Sequence, residues 1–196
     1  MASTTRVPKA EITGLYGYLL KRFSKKLLGD VAEPAEVMWH NRAVLTSNLR
    51  FGGKVQKWHQ LDPDLKSYAS MAVAALVGCS WCLDLGYFQA HNEGLDEAKA
   101  SEVPRWREST VFTPLERDVM EYAEAMSETP TRVTDELSDR LLGQLGAAAM
   151  VELAATVGYA NMTTRSNTAL GIESQGFSEV CELPLAPRSN GYITSA

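Results

Sequence analysis

Cys79 and Cys82 stand three positions apart in the run Gly78-Cys79-Ser80-Trp81-Cys82-Leu83-Asp84-Leu85-Gly86, and a third cysteine, Cys181, lies far along the chain. A thiol attacks as its thiolate. Exposed N–H groups and the dipole at a helix start stabilise that anion and lower the thiol pKa. Two cysteines at this spacing on a first helical turn share one side and can close into a disulfide without unfolding the helix. The chemistry that suits them is a reversible dithiol/disulfide cycle. Two bland readings compete. A tetrahedral zinc site needs two further ligands, and His40, His59 and His91 make no second close pair with Cys181, so no metal is expected. Two buried, inert thiols acting as small hydrophobes also fit the apolar run before them.

Two acids are candidates to act beside the thiols, with pKa values tuned by their surroundings. Asp84 lies two residues past Cys82, and Glu152 sits among Val151, Leu153 and Ala154. Asp84 could orient a water near the sulfurs. As a first-turn acid it also complements the helix dipole, and beside a thiolate it would raise that thiol's pKa by repulsion. Glu152 is notable if buried and ordinary if its helix turns it to water. His91, nine residues after Cys82, is about two and a half turns along and reads as a surface group. His59 ends a helix, where it could face a pocket or cap carbonyls, and His40 reads as a surface or interface residue. Trp81 covers and dries the site rather than performing chemistry. Tyr159, Asn161, Arg165 and Asn167 lie on the last helix, Asn161 and Arg165 sharing a face at i,i+4. Such groups line a pocket or bond across a subunit interface, and the interface is the preferred reading.

The elements that must position these groups are helical. Apolar spacing predicts helices over 12–28, 36–59 (interrupted at Gly52-Gly53), 65–77, 80–92, 96–103, 114–128, 135–143 and 147–167. Asp62-Pro63 and Thr113-Pro114-Leu115-Glu116 are helix starts, the second a capping box. No segment shows strand alternation bounded by hairpin turns. The expectation is all-α: an arm over 1–33 with an amphipathic helix, a helical domain over 34–185, and an irregular tail over 186–196.

The 196 residues suit one domain with a sizeable core. A net charge of −5 argues against nucleic acid, whose phosphates need a basic face. No run reaches the ~18–20 apolar residues of a membrane span, and the polar N-terminus lacks a signal-peptide pattern. A cytoplasmic location is expected, where a C-x-x-C is redox-active or metal-binding rather than structural.

The stretch from Leu65-Lys66-Ser67-Tyr68 through Ala72-Val73-Ala74-Ala75-Leu76-Val77-Gly78-Cys79-Ser80-Trp81-Cys82-Leu83-Asp84 resembles the core motif of the carboxymuconolactone decarboxylase / alkylhydroperoxidase D-like superfamily. There an apolar helix ends in Gly-Cys and a C-x-x-C opens the next. The segments EPAEVMWHNRAVL, FTPLERDVMEYAEAMSETP and MVELAATVGYANMTTRSNTALGIESQGF extend the likeness over roughly residues 30–185. The resemblance implies a bundle of about seven to eight helices, assembled as a homo-oligomer (dimer, trimer or hexamer), with no cofactor. It also implies a thiol cycle on a hydroperoxide or another small ligand. One cysteine becomes a sulfenic acid, the other resolves it to a disulfide, and an external thiol reductant restores the pair. The peroxidase motif carries a glutamate twelve residues before the first cysteine and a histidine four after the second. Ser67 and Gly86 occupy those positions here, and neither is a base near neutral pH. A thiol-dependent peroxidase or disulfide oxidoreductase is therefore the leading expectation. A non-catalytic redox-sensing or ligand-binding oligomer comes second, and lactone decarboxylation last.

Overall fold

Apolar spacing of three and four residues recurs along the chain, and each such run can bury its stripe only against another helix. The computed structural model describes residues 5–187, and those residues contain eight α-helices and no strand. They are α1 (Gly14–Leu28), α2 (Glu33–Met38), α3 (Arg42–Val55), α4 (Pro63–Val77), α5 (Ser80–Glu93), α6 (Glu97–Ala100), α7 (Pro114–Ser127) and α8 (Asp135–Leu170). Most of the 186–196 tail lies outside the described residues.

α4 is the central helix. Asp62 caps it, accepting from the N–H groups of Asp64 and Leu65, and Pro63 opens its first turn. Ala69, Met71, Ala72 and Val73 are all sealed from solvent, so this stretch of α4 is buried on every side. It packs against α5, α7 and α8. α7 begins with the expected capping box of Thr113 and Glu116. A smaller apolar cluster of Ile12, Val31, Ala35, Trp39 and Leu45 joins the segments flanking α1 to α2 and α3, with Leu20 of α1 packed against it and Tyr16 stacked on Trp39.

Some boundaries differ from the sequence expectation, and the helix expected over 96–103 is the single turn Glu97–Ala100. The single helix over 36–59 is two, because the chain turns through Trp39–Asn41 and Asn41 caps α3 by accepting from the Val44 N–H. Gly52-Gly53 does not break α3. A Cβ at Gly52 would meet Tyr159 Oη at 2.4 Å, so this glycine lets the tyrosine approach the helix. The break expected between the last two helices is present at Gly146, whose φ of 76° and ψ of 166° leave the helical region.

One helix, α8, is long and apolar enough to cross a membrane by length and composition. Core helices of globular domains share that pattern. The stripe Leu153, Val157, Ala160, Thr164 and Asn167 is buried, and α8 packs on α4 and α7.

Candidate redox site

The junction between α4 and α5 places the two sulfurs. Gly78 takes the left-handed conformation (φ 78°) that ends α4, and the N–H groups of Gly78 and Cys79 both bond to Ala74 O at 3.0 Å. Cys79 becomes the N-cap of α5, with its sulfur accepting from the Cys82 N–H at 3.2 Å. Serine or aspartate would ordinarily hold that position. Cys79 and Cys82 are joined as a disulfide with Cα atoms 5.3 Å apart, as their spacing allows. Cys79 is 1% exposed, whereas Cys82 is half-buried. Cys82 is the more exposed residue of the pair.

α8 brings a partner to that sulfur. Asn167 Nδ2 donates to Cys82 Sγ at 3.5 Å from a side chain 85 positions away in sequence. Asn167 is buried, and its Oδ1 has no hydrogen-bond partner among the described residues.

After Gly171 the chain folds back over the start of α5 as a strap. Ser174 N–H donates to Ser80 Oγ at 3.1 Å. Gln175 Oε1 accepts from Trp81 Nε1 at 2.9 Å and from the Glu33 N–H at 2.7 Å. The ring of Phe177 meets Trp81 edge-on and Phe88 at a tilt. Trp81, in the first turn of α5, is thus held by the strap through Gln175 and Phe177.

Asp84 fastens the strap. Its carboxylate accepts from Ser174 Oγ (2.7 Å), Phe177 N–H (3.0 Å), Ser178 N–H (2.7 Å) and Ser178 Oγ (2.6 Å). Burial alone would raise this carboxyl, but the bonds from Ser178, Ser174 and Phe177 more than offset it and hold it below its ordinary value. Its bonds among the described residues all run to the strap and none to a sulfur.

Glu152 is buried, which settles the rotation of its helix. It pairs with the buried Lys66 at 2.7 Å and accepts from the Gln60 N–H at 2.8 Å. Lys66 also donates to Trp58 O at 2.6 Å. Burial raises the Glu152 carboxyl, while Lys66 and the backbone of Gln60 pull it lower, and the net shift is downward. The pair ties α8 to α4 and to the loop before α4.

Asn161 and Arg165 share a face as expected, and Arg165 Nε donates to Asn161 Oδ1 at 3.1 Å. Asn161 Nδ2 donates to Ser127 Oγ at 2.7 Å and Arg165 to Ser127 O, so both tie α8 to the end of α7 within the chain. Ser127 ends α7, where its carbonyl lacks a partner within the helix, and Arg165 supplies that donor. His91 is half-buried against Glu97 rather than on the open surface. His59 is exposed, and exposed His40 lies 2.8 Å from Pro8 O.

The relay positions hold no base. A Cβ at Gly86 would meet Met71 Cγ at 3.1 Å, so this face of α5 presses on α4 and leaves a histidine no room without repacking.

Sequence reasoning did not pair Asn167 with Cys82 or foresee the strap residues Ser174, Gln175 and Ser178. The helical period 153, 157, 160, 164, 167 signals that Asn167 is buried. Nothing in the sequence tells what it touches.

The Carboxymuconolactone decarboxylase family profile matches residues 42–125. The YnjA protein of Escherichia coli (strain K12) is 36% identical over 159 residues, covering 80% of this chain and 85% of YnjA. Among solved structures, a peroxidase-related protein of Ralstonia eutropha JMP134 with an alkylhydroperoxidase AhpD core superposes with a TM-score of 0.79 at 14% identity, covering 94% of this chain and all of that one. The debrominase Bmp8, as a cysteine-to-alanine variant in complex with 2,3,4-tribromopyrrole, gives a TM-score of 0.76 at 16% identity, covering 89% and 96%. At these identities the two structures share the fold.

Proposed function

The chain belongs to the carboxymuconolactone decarboxylase / alkylhydroperoxidase D-like superfamily, and from that premise we propose that it is a thiol-dependent peroxidase, with Cys82 as attacking thiol and Cys79 as resolving thiol. One observation carries the reading: the two sulfurs close at the mouth of α5, with Cys82 accessible and Cys79 sealed beneath it. The Cys82 thiolate attacks the distal oxygen of a hydroperoxide, forming a sulfenic acid and releasing an alkoxide that takes a proton from water. The Cys79 thiolate then attacks the Cys82 sulfur, forming the disulfide and expelling hydroxide, which leaves as water. An external dithiol attacks Cys82 and expels Cys79 as thiolate, and its second thiol then breaks the mixed disulfide, releasing Cys82 as thiolate and leaving the donor as a disulfide. The capped helix start suits Cys79 to leave, since a stabilised thiolate leaves faster. A cytoplasmic location, where such donors stay reduced, and a homo-oligomeric state belong to this reading. In it Asp84 and Glu152 act as positioning groups, through the strap and through Lys66.

Stopped-flow oxidation of the reduced protein by an organic hydroperoxide, with a dithiol donor for turnover, tests the proposal. Cys82→Ser abolishes oxidation, and Cys79→Ser halts at a sulfenic acid that a carbon nucleophile traps. A Cys82→Ser protein as fast as wild type would sink it. The bromopyrrole bound by Bmp8 supplies a second electrophile for the same assay. Two thiols can reduce a carbon–bromine bond to carbon–hydrogen, releasing bromide and a proton and leaving the disulfide.

A second reading is favoured by Ser67 and by the packed Gly86. Without the relay the pair is a redox sensor, and oxidation changes assembly or ligand affinity with no sustained peroxide consumption. Turnover with the dithiol donor excludes it.

A further inference from the structure

Asn167 is the one side chain among the described residues that hydrogen-bonds a sulfur of the pair. It sits in the last turn of α8, where its own carbonyl accepts from Gly171 and Ile172 as the helix closes on a left-handed glycine. Its backbone is therefore fixed, and burial fixes its side chain. The carboxamide has a donor on Cys82 Sγ and an acceptor, Oδ1, without a partner. A buried acceptor left unpaired is unfavourable and asks for an occupant in some other state of the molecule. One state of the proposed cycle supplies it: the sulfenic acid on Cys82 offers an O–H.

We propose that Asn167 is a catalytic residue that holds Cys82 as a thiolate by donating from its carboxamide, and so stands in for the proton relay missing at Ser67 and Gly86. The inference rests on the reading that Cys82 is the working thiol. A relay removes the thiol proton with a base. A buried hydrogen-bond donor instead favours the anion after water has taken the proton. A hydrogen bond to an ionised acceptor is among the stronger kinds. Its loss raises the thiol pKa by about one unit, a tenfold fall in thiolate at neutral pH. The remaining thiolate is more basic and about threefold more nucleophilic, so the observed rate falls only about threefold. A titration is therefore a sharper readout than a rate at one pH.

The test is the pH dependence of iodoacetamide alkylation of the reduced full-length protein, with Cys82 followed by peptide mass spectrometry. Asn167→Leu keeps the volume and removes the donor, and the Cys82 midpoint rises by about one unit. Asn167→Asp puts a carboxyl beside the sulfur, and the midpoint rises at least as far. An unchanged Cys82 midpoint in folded Asn167→Leu overturns the proposal. Should both variants fail to fold, the wild-type protein decides: in the reduced state the Asn167 side-chain amide resonances shift with the Cys82 midpoint, and amide resonances indifferent to that titration overturn it equally. Alkylation needs no peroxide, so a chain that ignores hydroperoxides yet shows the Asn167 shift loses the peroxidase reading and keeps this one.

Discussion

Asp84 shows how a residue near a reactive pair can serve it at one remove. A carboxylate that accepts four hydrogen bonds from residues 174–178 is a fastener for the strap. Its folded pKa lies below its ordinary value of 3.8. The stabilisation it gives is present in full above that value and is lost as pH falls through the lower, folded pKa. Acid therefore loosens the strap over Trp81. Asp84→Ala leaves the buried Phe177 N–H and the part-buried Ser178 N–H without their partner and costs about 3 kcal/mol, measured by urea unfolding at neutral pH. The variant is also expected to lose stability less steeply than wild type below pH ~4. If Asp84→Ala is as stable as wild type but its thiols react differently, the fastening role is wrong.

At the scale of elements, α4 is gripped from both sides by different means. On α5, Gly86 lets Met71 come close. On α8, Glu152 meets Lys66 in a buried ion pair. Removing one member of such a pair strands a buried charge, so Glu152→Gln is expected to cost about 3–5 kcal/mol. Replacing both members with apolar groups of similar size, as in Lys66→Met with Glu152→Leu, restores most of the loss. A double-mutant cycle by chemical denaturation checks this. Folded Glu152→Gln is expected to keep the Cys82 alkylation rate, and a tenfold loss there would return Glu152 to the catalytic list.

Over the whole molecule, the conspicuous feature is α1. Leu15, Leu19, Phe23 and Leu27 recur at every fourth position and are 78%, 54%, 62% and 53% exposed. An apolar stripe on a helix ordinarily faces a partner. α1 lies beside α3, with Tyr16 Oη 3.4 Å from Thr46 Oγ1, and α3 adds exposed Val44, Leu49 and Phe51. The proposed homo-oligomer would use this face, with a second copy of the chain as its cover. Sedimentation is expected to give a mass above one chain for wild type, and a lower mass for Leu19→Glu with Phe23→Glu. A wild-type protein that stays monomeric at every concentration refutes it.

How much was legible in the sequence follows from what is local. Helix existence depends on apolar spacing within a few turns, and Pro63, Gly78, Thr113 and Gly171 mark starts and stops through their own backbone preferences. The cysteine pair was legible for the same reason, since three residues of helix fix how close the sulfurs can come. The split at Asn41 and the unbroken Gly52 were not, because a turn against Trp39 and the approach of Tyr159 are long-range facts. Nor were the partners of Asp84, Glu152 and Asn167. Each is a polar side chain on a helix whose bond crosses dozens of residues, and a helical period tells that a side chain is buried without telling what waits there. The sequence by itself determined that two thiols share a helix start in an all-helical chain. Tertiary packing alone decided that Cys79 is sealed, that Cys82 touches Asn167, and that the strap fastens to Ser80, Trp81 and Asp84, because burial and hydrogen-bond partners exist only once distant helices have docked.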